Sequence, residues 1–459
     1  MSSIALDIAS PAALPLPGRA ALAHIPGHDG LPLIGDTLTF LADPLRFAED
    51  KVARYGLVQR TYVLGIRSVA LLGPEAIGHL LFDQAKLFSS AGGWEPLLGR
   101  LFPRGLMLLD FDEHRLHRRA LSVAFKAEPL KAYLAALNGG IAARMARWRH
   151  GPAEFLFYPA IKQLTLDLAA TSFLGEAMGE EVEAIKRAFI DMVAAATSVV
   201  RKPLPGTQMR RGVKGRAFII GYFSRQAPIR RERGGSDIFA QLCRATHEDG
   251  SLMSVQEIAD HMSFLMMAAH DTLTSSLSAF VHFLTAHPDW QEKLRGEIQG
   301  LGLAPGEPLP FERLGELGLT EMAFKESLRL IPPVVSLPRR ATRAFEFGGY
   351  RIPAGTPVNT SIIFTHHMPE IWPEPRRFDP YRFSEEASRG RHRFAYAPFG
   401  GGAHMCLGLN FAYMQAKCFA YHLLASSRVS VEPGYRPRWQ MTPIPKPRDG
   451  LKVQLAPLV

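Results

Sequence analysis

Cysteine is scarce in this chain of 459 residues, which contains only Cys243, Cys406 and Cys418. The three cysteines form no Cys-x-x-Cys pair and no even-numbered set, so they predict neither a disulfide scaffold nor a zinc site. A long apolar run is also missing near the N-terminus, where prolines and charged residues interrupt the first 24 residues. We therefore expect a soluble protein of the reducing cytoplasm, without a signal peptide or membrane anchor.

Acidic residues are nearly absent from residues 201–233, although the whole chain carries a formal charge of only +10. This stretch contains ten basic residues, Arg201, Lys202, Arg210, Arg211, Lys214, Arg216, Arg225, Arg230, Arg231 and Arg233, against Glu232 alone. Such a patch suits nucleic acid, anionic lipid or simply a solvated helix face. Because no interleaved aromatic residues or nucleic-acid motif accompany it, we favour the solvated face.

The order of hydrophobic patterns predicts a mainly α-helical fold with a small β part. Residues 1–24 resemble a flexible tail, and residues 25–459 a single domain. Strand-like alternation near residues 58–72 precedes helical periodicity that dominates to about residue 330, and strand-like text follows. A capping box at Ser254-Val-Gln-Glu257 predicts a long helix that ends near Ala286, before His287-Pro288.

The most informative segment reads Phe399-Gly-Gly-Gly402-Ala-His404-Met-Cys406-Leu-Gly408. The three consecutive glycines permit tight turns with positive φ and a close approach of backbone to a flat ligand. Backbone amides and a helix that starts after Cys406 would stabilise a thiolate. An isolated cysteine beside a glycine turn would more simply be a buried structural residue.

The segment resembles the Phe-x-x-Gly-x-His/Arg-x-Cys-x-Gly signature of the cytochrome P-450 family. This resemblance implies haem b as cofactor, with Cys406 as the axial thiolate ligand of the haem iron. Phe399 would shield the sulfur, Gly400 would belong to the haem-binding loop, and His404 would reach an anionic edge of the cofactor. The fold implied places haem between a long distal helix and the proximal cysteine loop.

The long helix carries Ala268-Ala269-His270-Asp271-Thr272-Leu273, which is similar to the family's Ala/Gly-Gly-x-Asp/Glu-Thr-Thr motif. Ala269 replaces the glycine and Leu273 the second threonine, but the acid and first threonine remain. The resemblance implies that Asp271 and Thr272 deliver protons to iron-bound dioxygen. Taken alone, the same letters also fit a core helix whose threonine bonds to its own backbone.

Two further marks of the family follow the long helix. Glu326-Ser-Leu-Arg329 resembles its Glu-x-x-Arg helix, and Phe378-Asp-Pro-Tyr-Arg382-Phe383 resembles the partner segment. The resemblance implies that Glu326, Arg329 and Arg382 brace the core behind the cysteine loop. As an isolated pair, Glu326 and Arg329 would be a weak surface salt bridge.

The two haem propionates require cations or hydrogen-bond donors. His114 and Arg118 stand four residues apart, hence on one helix face, and match the family's His/Trp-x-x-x-Arg helix. Arg339 and His404 match two further propionate positions, although Arg340 directly follows Arg339. The plain alternative for either arginine is a surface cation.

The implied substrate pocket is mostly apolar, which favours a terpenoid, steroid, retinoid or fatty acid. The residues that would line it are Trp94, Leu97, Leu98, Met107, Met262, Met266, Val335, Leu337 and Pro443. The wording of the motifs is nearest to the retinoic-acid hydroxylase and sterol demethylase branches. Arg100, Arg104 or Arg201 would anchor an anionic substrate.

The resemblance implies a monomeric monooxygenase. Because the chain has no flavin or ferredoxin motif, its electrons would come from NAD(P)H through a separate ferredoxin, flavodoxin or reductase. A peroxide-using haem-thiolate peroxygenase and a haem sensor are the alternatives. Neither requires an acid and an alcohol on the distal helix, so Asp271 and Thr272 favour the monooxygenase.

Overall fold

The structure is a computed structural model that describes residues 14–175, 181–196, 198, 200–304 and 306–458. In the described residues helices predominate and strands are short, which confirms the mainly α fold with a small β part. The helices are α1 (Thr37–Ala42), α2 (Pro44–Tyr55), α3 (Pro74–Leu81), α4 (Ser90–Leu98), α5 (Phe111–Ser122), α6 (Ala127–His150), α7 (Phe157–Leu174), α8 (Glu181–Ala196), α9 (Gln208–Arg233), α10 (Ile238–Cys243), α11 (Val255–Ala286), α12 (Pro288–Gln299), α13 (Gly318–Leu330), α14 (Ile362–Thr365), α15 (Glu385–Ser388) and α16 (Leu409–Ser426).

Within the part of the chain that the structure describes, the strands form four small sheets. They are β1 (Val58–Val63), β2 (Ile66–Leu71), β3 (Phe88–Ser89), β4 (Glu154–Leu156), β5 (Ser336–Ala341), β6 (Phe345–Phe347), β7 (Tyr350–Ile352), β8 (Pro357–Ser361), β9 (Ser427–Ser430), β10 (Trp439–Gln440), β11 (Lys446–Pro447) and β12 (Lys452–Pro457). No helix in these described ranges combines the length and apolarity that a membrane crossing requires.

The predicted division into a tail over 1–24 and one domain over 25–459 stays a prediction. Residues 1–13 of the tail lie outside the described residues, and Arg19–Leu22 forms a 3-10 turn with Leu22 buried. The chain divides into two compact units. The first comprises Met1–Arg115, Val335–Pro375 and His392–Cys406, and the second comprises Leu116–Val334, Arg376–Arg391 and Leu407–Val459.

The first unit is built on a five-stranded sheet in the order β1-β2-β8-β5-β3. β2 and β8 run parallel, and the other neighbours are antiparallel. The strand-like stretch predicted near residues 58–72 forms β1 and β2, which a tight turn joins at Leu64 and Gly65, with φ of 54° and 77°. Val69, Leu71 and Val358 enter the core of this unit together with Ile77 of α3.

The second unit is organised around α11, whose 32 residues confirm the predicted long helix. Its capping box is complete, because Ser254 caps the Glu257 amide while the Glu257 carboxylate accepts from the Ser254 amide. α11 packs against α7, α9 and α13, and most of its residues are buried on all sides. Polar side chains on a helix buried to this extent are costly unless they find hydrogen-bond partners within the protein.

Candidate active site

The cysteine loop of the first unit is closed by short backbone hydrogen bonds. The Cys406 amide donates to the Phe399 carbonyl at 2.9 Å, and the Gly400 amide donates to the Ala397 carbonyl at 3.0 Å. Cys406 is exposed, whereas Cys243 and Cys418 are buried. Burial raises the pKa of Cys243 to about 12 and also raises that of Cys418. Of the three thiols, only Cys406 is presented for ligation.

Two of the three glycines in the cysteine loop have a backbone conformation that favours glycine. Gly400 and Gly402 have φ of 69° and 60°, in the left-handed region that favours glycine. A Cβ on Gly402 would lie 1.8 Å from the Leu81 carbonyl oxygen, so no side chain fits. Gly401 differs from our expectation of a positive φ, because its backbone is extended with φ of −174°. A Cβ there would still meet the Phe82 ring at 2.7 Å.

The structure brings together two of the residues predicted to face an anionic cofactor edge. The rings of His114 and His404 lie 3.8 Å apart between centroids, with 31° between their planes. His114 is in the first turn of α5, where its amide donates to the Asp110 carbonyl at 3.0 Å. Arg118 lies one turn further along the same helix and is half-buried. The helix therefore supports the predicted His-x-x-x-Arg spacing.

Arg339 on β5 is a buried cation that forms no ion pair with any described carboxylate, although Asp110 and Asp83 are close enough to act on its pKa. Burial lowers its pKa to about 10. Its one hydrogen bond to a described residue runs from Nη1 to the adjacent Pro338 carbonyl at 2.8 Å, and no described carboxylate lies within ion-pair distance. Arg340, by contrast, donates to the carbonyls of Leu14 and Gly355. The arrangement leaves Arg339, rather than Arg340, with donors for an anionic ligand such as a propionate.

Asp271 in the middle of α11 is surrounded by cationic or protonatable groups. Lys162 Nζ and His270 Nδ1 lie 3.4 Å and 3.1 Å from Asp271 Oδ1. Burial by itself would raise the pKa of Asp271, but His270 and Lys162 outweigh it and the pKa is lowered. This carboxylate is therefore ionised at neutral pH while remaining next to two proton carriers.

Thr272 donates its hydroxyl hydrogen to the Ala268 carbonyl at 2.7 Å. Thr274 and Ser276 make the same bond to the carbonyl four residues earlier. This is the backbone bonding that the sequence left open for a core helix. Because the hydroxyl uses its proton in this bond, its oxygen lone pairs remain available to accept a hydrogen bond.

In the bracing cluster of the second unit, formed by Glu326, Arg329 and Arg382, the first two side chains are fully buried and the third is half-buried. Glu326 accepts from Arg329 Nε at 2.7 Å and Nη2 at 2.8 Å, and from the Asp379 amide at 3.0 Å. Arg382 Nε is 3.4 Å from the same carboxylate. Burial raises the pKa of Glu326, and the two guanidinium groups oppose that shift. The geometry agrees with a structural role for the three residues.

Three of the residues expected to contact a substrate have other contacts that the structure describes. Met266 lines a small apolar cavity between α7 and α8, together with Leu166, Ile185 and Phe189. Arg104 pairs with Glu113, and Arg201 Nη1 donates to the Ala196 carbonyl at 2.7 Å. The remaining pocket residues keep the status of predictions, and they are Trp94, Leu97, Leu98, Met107, Met262, Val335, Leu337 and Pro443.

Much of the basic segment 201–233 has partners within the second unit. Four arginines pair with carboxylates at 3.0–3.5 Å, namely Arg211 with Asp191, Arg216 with Asp260, Arg225 with Glu181 and Arg230 with Asp237. Arg231 Nε donates to the Cys243 carbonyl at 3.1 Å. Arg211 and Arg225 are exposed, as expected for a solvated helix face, whereas Arg216 and Arg230 are largely buried against Asp260 and Asp237.

Sequence reasoning missed Lys162 and His270 as partners of the distal acid. His270 was visible inside the motif, and its position directly before Asp271 was the only signal. Lys162 is 109 residues earlier in the chain, so nothing in the local sequence connects it with Asp271. It reaches Asp271 because α7 packs against α11.

Comparisons with known proteins agree on one family. A family model described as Cytochrome P450 matches residues 25–455. The chain is 37% identical to Putative cytochrome P450 136 of Mycobacterium tuberculosis over 453 residues, which cover 96% of this chain and 90% of that protein. It is 29% identical to the taxane 10-beta-hydroxylase of Taxus cuspidata, with 96% and 91% covered. A solved structure described as retinoic acid bound cyanobacterial CYP120A1 matches with a TM-score of 0.83 and 30% identity over 94% of this chain and 99% of that one.

Proposed function

The chain belongs to the cytochrome P450 family, and from this premise we propose which residues hold the cofactor and which class of substrate is oxidised. The family consists of haem-thiolate monooxygenases that use haem b and take electrons from NAD(P)H through redox partners. The chain is accordingly a haem-dependent monooxygenase. Its reaction converts a C–H bond, dioxygen, two electrons and two protons into an alcohol and water.

Cys406 is the proposed axial ligand of the haem iron, and this assignment carries the proposal. It is supported by an exposed thiol on a loop whose glycines at 400 and 402 need left-handed backbone. Bound haem with a thiolate ligand supplies the activation of dioxygen. The Phe399 carbonyl accepts a hydrogen bond from the Cys406 amide, which holds the loop in this conformation.

His114, Arg118, Arg339 and His404 are the proposed propionate partners. Arg339 fits best, because its buried guanidinium forms no ion pair with a described carboxylate. The adjacent, mutually tilted rings of His114 and His404 would donate through ring nitrogens. Removing a buried cation's anionic partner is unfavourable, so loss of haem should weaken the region around β5.

Asp271 and Thr272 are the proposed distal catalytic residues. The lowered pKa of Asp271 keeps its carboxylate ionised, so that it can accept hydrogen bonds from water or a proton donor, and Thr272 offers lone pairs to an ordered water. This pair is what favours dioxygen and electrons over peroxide as the oxidant. We propose that the electrons arrive from a separate ferredoxin, flavodoxin or reductase.

The proposed substrate is an apolar isoprenoid-like molecule, such as a retinoid or another terpenoid. Two similar proteins support this class, since one is described as binding retinoic acid and another as hydroxylating a taxane. The oxidised carbon follows from neither. A panel of retinoids, terpenoids, steroids and fatty acids, screened for a substrate-induced shift of the Soret band, tests the class.

The ligand assignment is tested with the reduced protein under carbon monoxide. We expect the red-shifted Soret band of a thiolate-ligated haem, and we expect Cys406→Ala to lose it. Cys418→Ala is the matched control, because Cys418 is buried with its sulfur 3.5 Å from Asn138 Oδ1. Retention of the band by Cys406→Ala would refute the assignment.

A further inference from the structure

The N-terminus of α4 is held by one carboxylate from outside the helix. Asp110 Oδ1 accepts from the Ser90 amide at 2.7 Å and from the Ala91 amide at 3.1 Å, and Asp110 Oδ2 accepts from the Ser89 hydroxyl. The Ser89 oxygen in turn accepts from the Gly92 amide at 2.8 Å. The amides at the start of a helix have no partner within the helix itself. Asp110 and Ser89 together satisfy the first three of them.

α4 depends on this cap because its own sequence favours a helix poorly. Its nine residues include Gly92, Gly93 and Pro96, and glycine and proline have the lowest helix propensities. Of its residues, Ser90 and Leu98 alone are buried, so packing contributes little to its stability. A short helix with weak propensity and little buried surface belongs to the least stable parts of a fold. The cap therefore matters more to α4 than to a well-packed helix.

The first turn of α4 also lies directly on β5. Ser89, just before the helix, pairs with Arg340 in the ladder between β3 and β5. A Cβ added to Gly93 would lie 2.7 Å from the Arg339 nitrogen and 2.7 Å from the Pro338 carbonyl oxygen, so the two backbones are in contact. All of these residues belong to the first unit. A shift of the first turn would therefore change where α4 lies relative to Arg339, a proposed propionate partner.

Asp110 is also connected to the residues proposed to contact haem. Its carbonyl accepts from the His114 amide at 3.0 Å in the first turn of α5. Burial lowers the pKa of Arg339 to about 10, and the charge of Asp110 opposes that shift. Phe111, directly after Asp110, has φ of 50°, a left-handed conformation that is costly for a bulky residue. Such strain persists only where the surrounding structure fixes the backbone, and it is frequent at functional sites.

We propose that Asp110 is a positioning residue, which fixes the substrate-facing helix α4 relative to Arg339 and His114 and thereby determines which ligands fit beside the haem. The proposal deepens the proposed function and rests on it, because Trp94 and Leu97 of α4 are predicted pocket residues. Asp110 acts through α4 and touches neither haem nor substrate. Loss of its carboxylate should weaken the binding of ligands that reach α4 and leave ligation of the haem iron unchanged.

The cap is tested by hydrogen–deuterium exchange of the holoprotein, measured by mass spectrometry on peptides that cover α4. We expect Asp110→Ala to speed exchange there on the order of tenfold, the usual scale for loss of a helix N-cap. Asp110→Asn keeps an oxygen that accepts from the Ser90 and Ala91 amides, so it should restore part of the protection. The matched control is Asp112→Ala, because the Asp112 carboxylate is exposed and pairs with Lys86 at 2.7 Å. Unchanged exchange in Asp110→Ala would overturn the proposal.

The positioning role is tested by optical titration with two azoles that bind ferric haem iron through a nitrogen atom. Imidazole occupies little more than the iron, whereas 4-phenylimidazole also places a phenyl ring in the pocket. We expect Asp110→Ala to raise the dissociation constant of 4-phenylimidazole about tenfold and that of imidazole by no more than about twofold. The carbon monoxide band should stay unchanged. Ser89→Ala, a milder change that removes one bond of the cap, should shift the ratio of the two constants in the same direction.

The outcomes separate the two levels of inference. Faster exchange of α4 with a wild-type azole ratio would refute the positioning role, because the cap would then not set the pocket. Equal weakening of both azoles would refute it too, since the effect would lie at the iron. A ratio restored towards the wild-type value in Asp110→Asn supports the proposal. If the wild type holds no thiolate-ligated haem, the proposed function fails, while the exchange result for α4 still stands.

Discussion

Replacing Glu326 by alanine tests the bracing cluster of α13 more severely than any other single change there. Glu326 and Arg329 have side chains that are 0% exposed, and that of Arg382 is 10% exposed. The substitution leaves the buried guanidinium of Arg329 and the half-buried guanidinium of Arg382 without their shared carboxylate. Removing one partner of a buried pair costs about 3–5 kcal/mol, which is roughly a 10²–10⁴-fold change in the unfolding equilibrium. We expect little folded, haem-loaded protein from Glu326→Ala.

The assay is urea unfolding combined with the haem content of purified protein. The matched control is Glu316→Ala, because Arg313 and Glu316 form a bidentate pair at the same i, i+3 spacing on the surface. Solvent screens that pair, so no measurable change is expected. In a double-mutant cycle, Glu326→Ala and Arg329→Ala should be strongly non-additive. Equal urea midpoints and full haem loading in both glutamate variants would refute the reasoning.

Three further predictions concern single positions. Burial lowers the pKa of His422 from 6.5 to about 4. The neutral ring therefore contributes up to about 3 kcal/mol to the free energy of unfolding above pH 6.5, and this contribution is lost as the pH falls towards 4. In urea titrations between pH 4 and 7, His422→Gln should show a weaker loss of stability on acidification than the wild type. Gly402→Ala should abolish haem loading, because its Cβ would collide with the Leu81 carbonyl oxygen. Gly400→Ala meets no such atom within 3.9 Å, so it should lower stability only by the strain of a left-handed backbone, about 1–2 kcal/mol. Equal haem loading of the two variants would contradict this. Thr272→Ala should raise hydrogen peroxide release per NAD(P)H while product falls, and unchanged coupling would remove the hydroxyl from the mechanism.

Features encoded by neighbouring residues were predictable from the sequence. The capping box at Ser254 fixes the start of α11, and His287-Pro288 fixes its end, because both signals act within one turn. The glycines of the cysteine loop were predictable for the same reason. The reason for glycine at position 401 was not predictable, because a Cβ there would collide with the ring of Phe82, which is distant in sequence, while the φ of Gly401 is open to any residue.

Features that depend on packing between distant segments were not predictable. Arg339 rather than Arg340 is the proposed propionate partner, because side chains alternate across a sheet. Arg340 already donates hydrogen bonds to the carbonyls of Leu14 and Gly355. The carboxylates that pair with the arginines of α9 likewise lie outside that helix, so the local sequence could not identify them. A sequence reports that a charge is present, but only the tertiary neighbours decide whether it is free to bind a ligand.

The hydroxyl of Thr272 illustrates how a structural and a functional interpretation can both hold. Its bond to the Ala268 carbonyl at 2.7 Å is the backbone bond of a core helix. That bond also orients the oxygen and commits the hydroxyl proton, so Thr272 can accept a hydrogen bond without competing as a donor. Asp271, one residue earlier, keeps the protonatable partners His270 and Lys162. In the proposed function these two neighbours therefore have separate roles, with Thr272 as a fixed hydrogen-bond acceptor and Asp271 as an ionised carboxylate beside protonatable groups.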